Sequence, residues 1–227
     1  MVAGSCIYGG RDSPSLADLT SEELNSIVGV YDPSQQGLCS GVVVAAGLAL
    51  TARHCLFAER TSFADVEIVF GSDAYASTLS VPPTSVSLHP TLDAAVLRFD
   101  AAALKQIAPE WSMTAIGLYT GAVDETLVGQ NVEIAGFGRA DSTEGRLMFA
   151  HQEVTAIDET ALTVDGPSGT GACVGDSGGP LLIGTPEGAA VLGILDQGPS
   201  DCMGGDRYIR SDLLLELVGQ SVSPCGG

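Results

Sequence analysis

Three side chains in this sequence have the types and surroundings for nucleophilic acyl transfer. Ser177 stands in Gly175-Asp176-Ser177-Gly178-Gly179-Pro180, His54 in Thr51-Ala52-Arg53-His54-Cys55, and Asp93 in Leu92-Asp93-Ala94-Ala95-Val96-Leu97. A serine hydroxyl is a poor nucleophile near neutral pH, so it needs a base within hydrogen-bond reach and a third group that fixes the base. The histidines are His54, His89 and His151. Only His54 lies between a long apolar run and a cysteine that can staple it; His89 precedes Pro90 and reads as a turn residue, and His151 falls in a polar-alternating strand. Gly178 and Gly179 permit close substrate approach and unusual dihedrals. The amides of Gly175 and Ser177 are candidates for an oxyanion hole, each donor worth roughly 3 to 4 kcal/mol in the transition state. Taken singly, His54 reads as structural and Asp93 as a strand-start residue. Their combination with Ser177, in the order His, Asp, Ser, points to a serine hydrolase.

The elements that must position these residues read as short strands. Apolar residues make up 45 % of the 227 positions and aromatics 5 %. Strand-like runs occur at 27–31, 41–51, 66–70, 85–88 and 94–99, then at 131–136, 147–157, 162–165, 180–183 and 189–195, with Gly, Pro, Asp or Ser between most of them. Residues 109–121 are a possible link between two halves. Thr20-Ser21-Glu22-Glu23 reads as the start of a short surface helix within a polar stretch. Residues 211–219 read as a closing helix, with Ser211 as N-cap and Leu213, Leu214 and Leu217 as its apolar stripe.

Composition restricts the partners. Twenty-eight acidic against nine basic residues give a net charge of −19, and Lys105 is the single lysine. Nucleic acid and anionic membrane surfaces are poor partners for such a field. No run approaches the roughly 18 to 20 apolar residues of a membrane span, and the N-terminus lacks the basic start and apolar core of a signal peptide. Cys6, Cys39, Cys55, Cys173, Cys202 and Cys225 show no Cys-x-x-Cys spacing, so neither a metal site nor a redox pair is expected. An even count favours disulfides and an oxidising compartment, hence a secreted, extracellular or periplasmic protein. No metal or organic cofactor is implied, and a monomer is expected.

These motifs resemble the trypsin-like serine peptidases of the chymotrypsin fold. Cys39-Ser40-Gly41 and the His54 segment match the family's first cysteine and histidine segment, Ala135-Gly136-Phe137-Gly138 is similar to its Gly-Trp-Gly turn, and the Ser177 hexapeptide is highly specific for it. The resemblance implies an all-β fold of two six-stranded antiparallel Greek-key barrels with a short C-terminal helix, in a single peptidase domain over 1–227. The first barrel would occupy about 7–110, the second about 121–210 and the helix 211–221. It implies endopeptidase activity on peptide or protein substrates with His54, Asp93 and Ser177 as triad. It also implies disulfides Cys39–Cys55 and Cys173–Cys202, which leaves Cys6 with Cys225.

Three departures from the family pattern bear on specificity and activation. The base of the S1 pocket, an aspartate where Arg or Lys is selected, is here Gly171, whereas the opposite wall, usually glycine, carries Asp206. A carboxylate entering from that wall would favour Arg or Lys at P1. Alternatively Asp206 pairs with Arg207 or Arg210, or narrows the pocket toward small or polar residues. Asp196 replaces a serine that hydrogen-bonds the triad aspartate, so it is protonated, turned away, or part of a site not yet formed. The backbone of Asp196, Gln197 and Gly198 is expected to pair with an extended substrate. The family's activation terminus has two candidates, Ile7-Tyr8-Gly9-Gly10 and Ile27-Val28-Gly29-Val30, and the first is preferred for its glycine pair. Its ammonium would meet Asp176. The chain would then be a zymogen of low activity until an activating protease cuts between Cys6 and Ile7. A catalytically silent homologue acting as a protein-binding module is the alternative in another class; an α/β-hydrolase esterase fits less well, because its triad order is Ser, Asp, His.

Overall fold

The computed structural model describes residues 7–56, 63, 65–139 and 144–222. The first half is a seven-stranded antiparallel sheet built from β1 (Ile27–Asp32), β2 (Gly37–Ala45), β3 (Leu48–Thr51), β4 (Glu67–Val69), β5 (Ser80–Val81), β6 (Ser85–Leu88) and β7 (Ala95–Arg98). Its order is β5-β4-β1-β2-β3-β7-β6. The second half is a closed six-stranded barrel of β8 (Asn131–Gly136), β9 (Met148–Ile157), β10 (Ala161–Asp165), β11 (Pro180–Thr185), β12 (Gly188–Gln197) and β13 (Asp206–Arg210), ordered β10-β13-β12-β11-β8-β9. The all-β, two-sheet reading holds, with a seventh strand in the first half because the two-residue β5 pairs with β4. The run at 41–51 divides at Ala46-Gly47, where Gly47 takes φ +71° and the chain reverses into β3.

Three short helices complete the fold. The expected helix near Thr20 is α1 (Ser21–Leu24), closed by a reciprocal cap in which Thr20 Oγ1 accepts the Glu23 amide and the Glu23 carboxylate accepts the Thr20 amide. An unanticipated α2 (Ala101–Ile107) starts at Asp100, whose side chain accepts the Ala102 amide at 2.8 Å. The closing helix is divided: Ser211–Leu213 forms a 3-10 turn, and α3 runs Leu215–Val222. Ser211 donates to the Tyr119 carbonyl at 3.2 Å instead of capping α3. Leu214 and Leu217 are buried, and the chain thereby returns from the second barrel to pack on the first sheet beside β3, β6 and β7.

One apolar cluster joins the halves, with Ile27, Val42 and Leu50 of the first sheet meeting Ala135, Phe137, Leu182 and Ile194 of the second. Each half also has its own core, one around Val28, Ala49, Ile68 and Leu97, the other around Ile134, Val164, Leu181 and Tyr208. Burial on this scale contributes roughly 25 cal/mol per Å² of apolar surface removed from water, which fixes the relative placement of the loops at the junction.

Candidate active site

His54 lies on the 3-10 turn Arg53–Leu56 that follows β3, and the Cys39–Cys55 disulfide ties this turn to β2. Because Thr51 of β3 pairs with Ala95 of β7, the end of one strand lies beside the start of the other, and Asp93 arrives next to His54. The Asp93 carboxylate bonds His54 twice: Oδ2 meets Nδ1, and Oδ1 accepts the His54 amide at 2.7 Å. Fixing Nδ1 in this way leaves Nε2 as the ring nitrogen not engaged by Asp93. The hydrogen bond from Asp93 pushes the His54 ionisation above its ordinary value despite burial, and the charges of Asp93 and Asp196 add to this. Burial raises Asp93, but the hydrogen bond and charge of His54 outweigh it and hold the carboxyl low.

Ser177 comes from the second barrel, on the loop between β10 and β11. Gly175 and Gly178, at φ +98° and +78°, turn this loop sharply. A side chain on Gly178 would meet Ser40, Thr51 and Ala52 at 2.3 to 2.5 Å, so glycine is required where the loop presses on the first sheet. Ser40 holds the loop from across the junction. Its amide donates to the Ser177 carbonyl at 2.9 Å, and its hydroxyl donates to the Gly175 carbonyl and accepts the Phe137 amide, each at 2.9 Å. With the Gly175 and Ser177 carbonyls turned to Ser40, the amide nitrogens of this loop are free of that first-sheet contact. Ser40 was quoted in the sequence only as part of a cysteine motif; its spacing carries no mark of this bracing role.

His54 and Ser177 line two adjoining cavities. One, of about 270 Å³, is walled by Ala172, Cys173, Leu195, Asp196, Gln197 and Gly198, and the Cys173–Cys202 disulfide closes its far side. The other, of about 430 Å³, is lined by Leu38, Phe137, Arg139, Glu144 and Gly175. Gly171 and Asp206 stand behind the first cavity. The space beside Gly171 is filled by the chain of Cys202 and Gly204, whose backbone atoms would lie 2.4 to 3.0 Å from any added Cβ. Asp206 is fully buried behind Ala172 and Gly198: Oδ2 accepts the Ala172 amide at 2.7 Å, while Oδ1 faces Gly198 without a hydrogen-bond partner. Burial pushes this carboxyl up to about 7, the Ala172 amide opposing and Asp165 adding to the shift. Neither suggested arginine pairs with it, since Arg207 bonds Asp158 and Asp196, and Arg210 bonds Asp212. Asp196 is not turned away; it faces Asp93 and Arg207.

Beneath the serine loop, Asp176 is buried and accepts the amides of Gly138 and Cys173, each at 2.8 Å. Burial raises it to about 7 against those two bonds, and Asp206 adds to the shift. Ile7 is buried in the second core near Ala172, and Tyr8 exchanges backbone hydrogen bonds with Gly171 at 3.0 and 3.3 Å. Ile27 instead lies within β1, paired with Val42. Cys6 and Cys225 lie outside the described residues, and so does the bond expected between them. Cys39, His54 and Cys55 bring ligand-type atoms together, but the two sulfurs are joined in the disulfide and offer no thiolate.

A histidine, an aspartate and a serine on loops at the junction of two β-sheets are the components of a serine hydrolase. The trypsin family model matches residues 19–217, and the chain belongs to the trypsin family. It is 27 % identical over 164 residues to Trypsin iota of Drosophila melanogaster, covering 63 % of each chain. It is 28 % identical over 206 residues to an uncharacterized peptidase of Corynebacterium glutamicum (strain R), covering 83 % of this chain and 67 % of that one. A protein named trypsin from Saccharopolyspora erythraea is 23 % identical over 175 residues, covering 69 % and 75 %. The chain thus spans about two thirds of the length of the first two. Among the described residues no helix is long and apolar enough to cross a membrane.

Proposed function

We propose that the chain is a serine endopeptidase, one peptidase domain that hydrolyses peptide bonds through an acyl-enzyme at Ser177. His54 Nε2 takes the Ser177 proton as Oγ attacks the carbonyl, and Asp93 steadies the imidazolium. The amides of Gly175 and Ser177 receive the oxyanion. His54 then passes the proton to the leaving amine, and water repeats the sequence to release the acid. The observation that carries this reading is the pair of hydrogen bonds between Asp93 and His54 on the cleft that Ser177 also lines. A fluorophosphonate probe should label the protein cut between Cys6 and Ile7 and not its Ser177→Ala variant, and that substitution should lower kcat by about 10⁴-fold or more. A cut, folded protein that stays unlabelled would favour the silent, protein-binding homologue. The two disulfides support a secreted enzyme.

At P1 the reading is a preference for Arg or Lys, supported by the unpartnered Asp206 Oδ1 behind the cavity wall. Small or polar P1 residues are the second reading, favoured by the backbone of Cys202 and Gly204 that fills the space beside Gly171. Cleavage of a peptide library decides between them by whether basic P1 residues are enriched. The burial of Ile7 and the pairing of Tyr8 with Gly171 support a zymogen in which an activating protease frees Ile7 to pair with Asp176. Full activity in the chain uncut at Cys6-Ile7 would refute this.

A further inference from the structure

Asp196 sits at an irregularity in β12, where pairing with β13 shifts between Leu195 and Gln197. Its side chain is 25 % exposed and lines the cavity shared with His54 and Ser177. On one side it stands close enough to Asp93 for each carboxyl to act on the other's ionisation. On the other, Arg207 Nε lies 3.6 Å from Asp196 Oδ2. The guanidinium is itself anchored, donating to Asp158 Oδ2 at 2.6 Å and to Thr160 Oγ1 at 2.7 Å. Asp158 is held in turn by the amides of Thr160 and Ala161 at 2.7 and 2.9 Å. Two carboxyls therefore lie between the His54 imidazole and a braced Arg207.

We propose that Asp196 and Arg207 are positioning residues for the triad: Asp196 places a second carboxyl behind Asp93, Arg207 balances its charge, and together they set the pH at which His54 becomes the free base. The proposal rests on the serine peptidase reading. A serine at position 196 would hydrogen-bond Asp93 without adding charge, whereas an aspartate there changes the field at the base.

The groups acting on Asp196 are Asp93, Arg207 and His54. Burial and then the Asp93 charge raise its ionisation, while Arg207 and His54 pull it back. Those acting on His54 are Asp93 and Asp196, and both favour the imidazolium. Once Asp196 has lost its proton, His54 holds its own to higher pH. Removing the carboxylate at position 196 must therefore release the His54 proton earlier, and removing the cation at position 207, which lets Asp196 keep its proton to higher pH, must act in the same direction and only through Asp196.

The test is the His54 titration followed by NMR in Ser177→Ala protein, which needs no turnover, beside the pH profile of kcat/KM in active protein. Asp196→Ser is expected to move the His54 midpoint down by about half a pH unit, and Arg207→Gln to move it down by less, with no further move when Arg207→Gln is added to Asp196→Ser. Asp196→Asn, uncharged and nearly isosteric, gives the same downward move if the serine variant does not fold. A purely structural role would lower kcat and leave both midpoints in place. Coincident midpoints, or an Arg207→Gln shift that persists in the Asp196→Ser background, overturn the proposal. The expected NMR shifts in a protein that, cut before Ile7, neither labels with fluorophosphonate nor cuts peptides would uphold the charge arrangement and defeat the peptidase reading instead.

Discussion

Ser40 bonds both sides of the junction at once, through its amide to Ser177 and through its hydroxyl to Gly175 and Phe137. Ser40→Ala leaves the buried Phe137 amide and Gly175 carbonyl without that partner, at a cost of about 1 to 3 kcal/mol. Loosening the oxyanion loop should lower kcat by ~10-fold with little change in KM; unchanged kcat in a folded variant would deny the bracing role. Asp206 predicts a pH-dependent specificity. Its carboxyl, raised to about 7, is neutral in acid and charged in base, so the ratio of kcat/KM for P1-Arg over P1-Ala substrates should climb as pH rises through about 7. The ratio cancels the His54 ionisation common to both substrates, and Asp206→Asn should flatten it. At this scale the sequence was legible where a residue type is rare: three histidines left few bases. Ser40 and Arg207 were not legible, because a serine beside a cysteine and an arginine in a strand are ordinary until a fold places partners around them.

The segment that precedes α1 is held to the second barrel by a side chain that no periodicity announces. Glu133, on β8, is fully buried and accepts the amides of Ser15, Leu16 and Ala17 at 2.7 to 3.0 Å, together with the Ser15 hydroxyl at 3.2 Å. Glu133→Ala leaves three amides without an acceptor and should destabilise the protein by ~3 kcal/mol or more. Hydrogen exchange at residues 15–17 should accelerate well before the barrel opens; protection equal to the parent's would show that other contacts hold the segment. Most strands were legible from alternating or continuous apolar runs ended by turn residues, and α1 from its cap. The helix α2 has a local signal of its own, since Asp100 followed by Ala101, Ala102 and Ala103 is a cap before strong helix formers. The division of the closing helix at Leu214 was not legible, since it follows from Ser211 bonding Tyr119, 92 positions earlier.

Two buried acids give the whole molecule an unusual dependence on pH. Asp176 and Asp206 are both raised to about 7, far above the ordinary carboxylate range, so the folded state binds more protons than the unfolded chain between roughly pH 4 and 7. Their contribution is greatest below the unfolded value and falls as pH rises, by at most about 1.4 kcal/mol per pH unit for each group. Thermal unfolding of the uncut chain should therefore show Tm declining across this window, and a chain beginning at Ile7 should decline less, because an ammonium beside Asp176 favours the charged carboxylate. Parallel curves for the two forms would argue against that pairing. The sequence by itself determined the family, the alternation of strands and which serine, histidine and aspartate are the candidates for nucleophile, base and acid, because these depend on residue type and short-range spacing. Only the tertiary structure decided that Asp196 faces Asp93, that Arg207 braces it, and that Asp206 stands unpartnered behind the pocket wall. Such pairings depend on which strands are neighbours in the sheet and on how far each carboxyl is removed from water, and neither distance nor burial is a property of a residue taken in isolation.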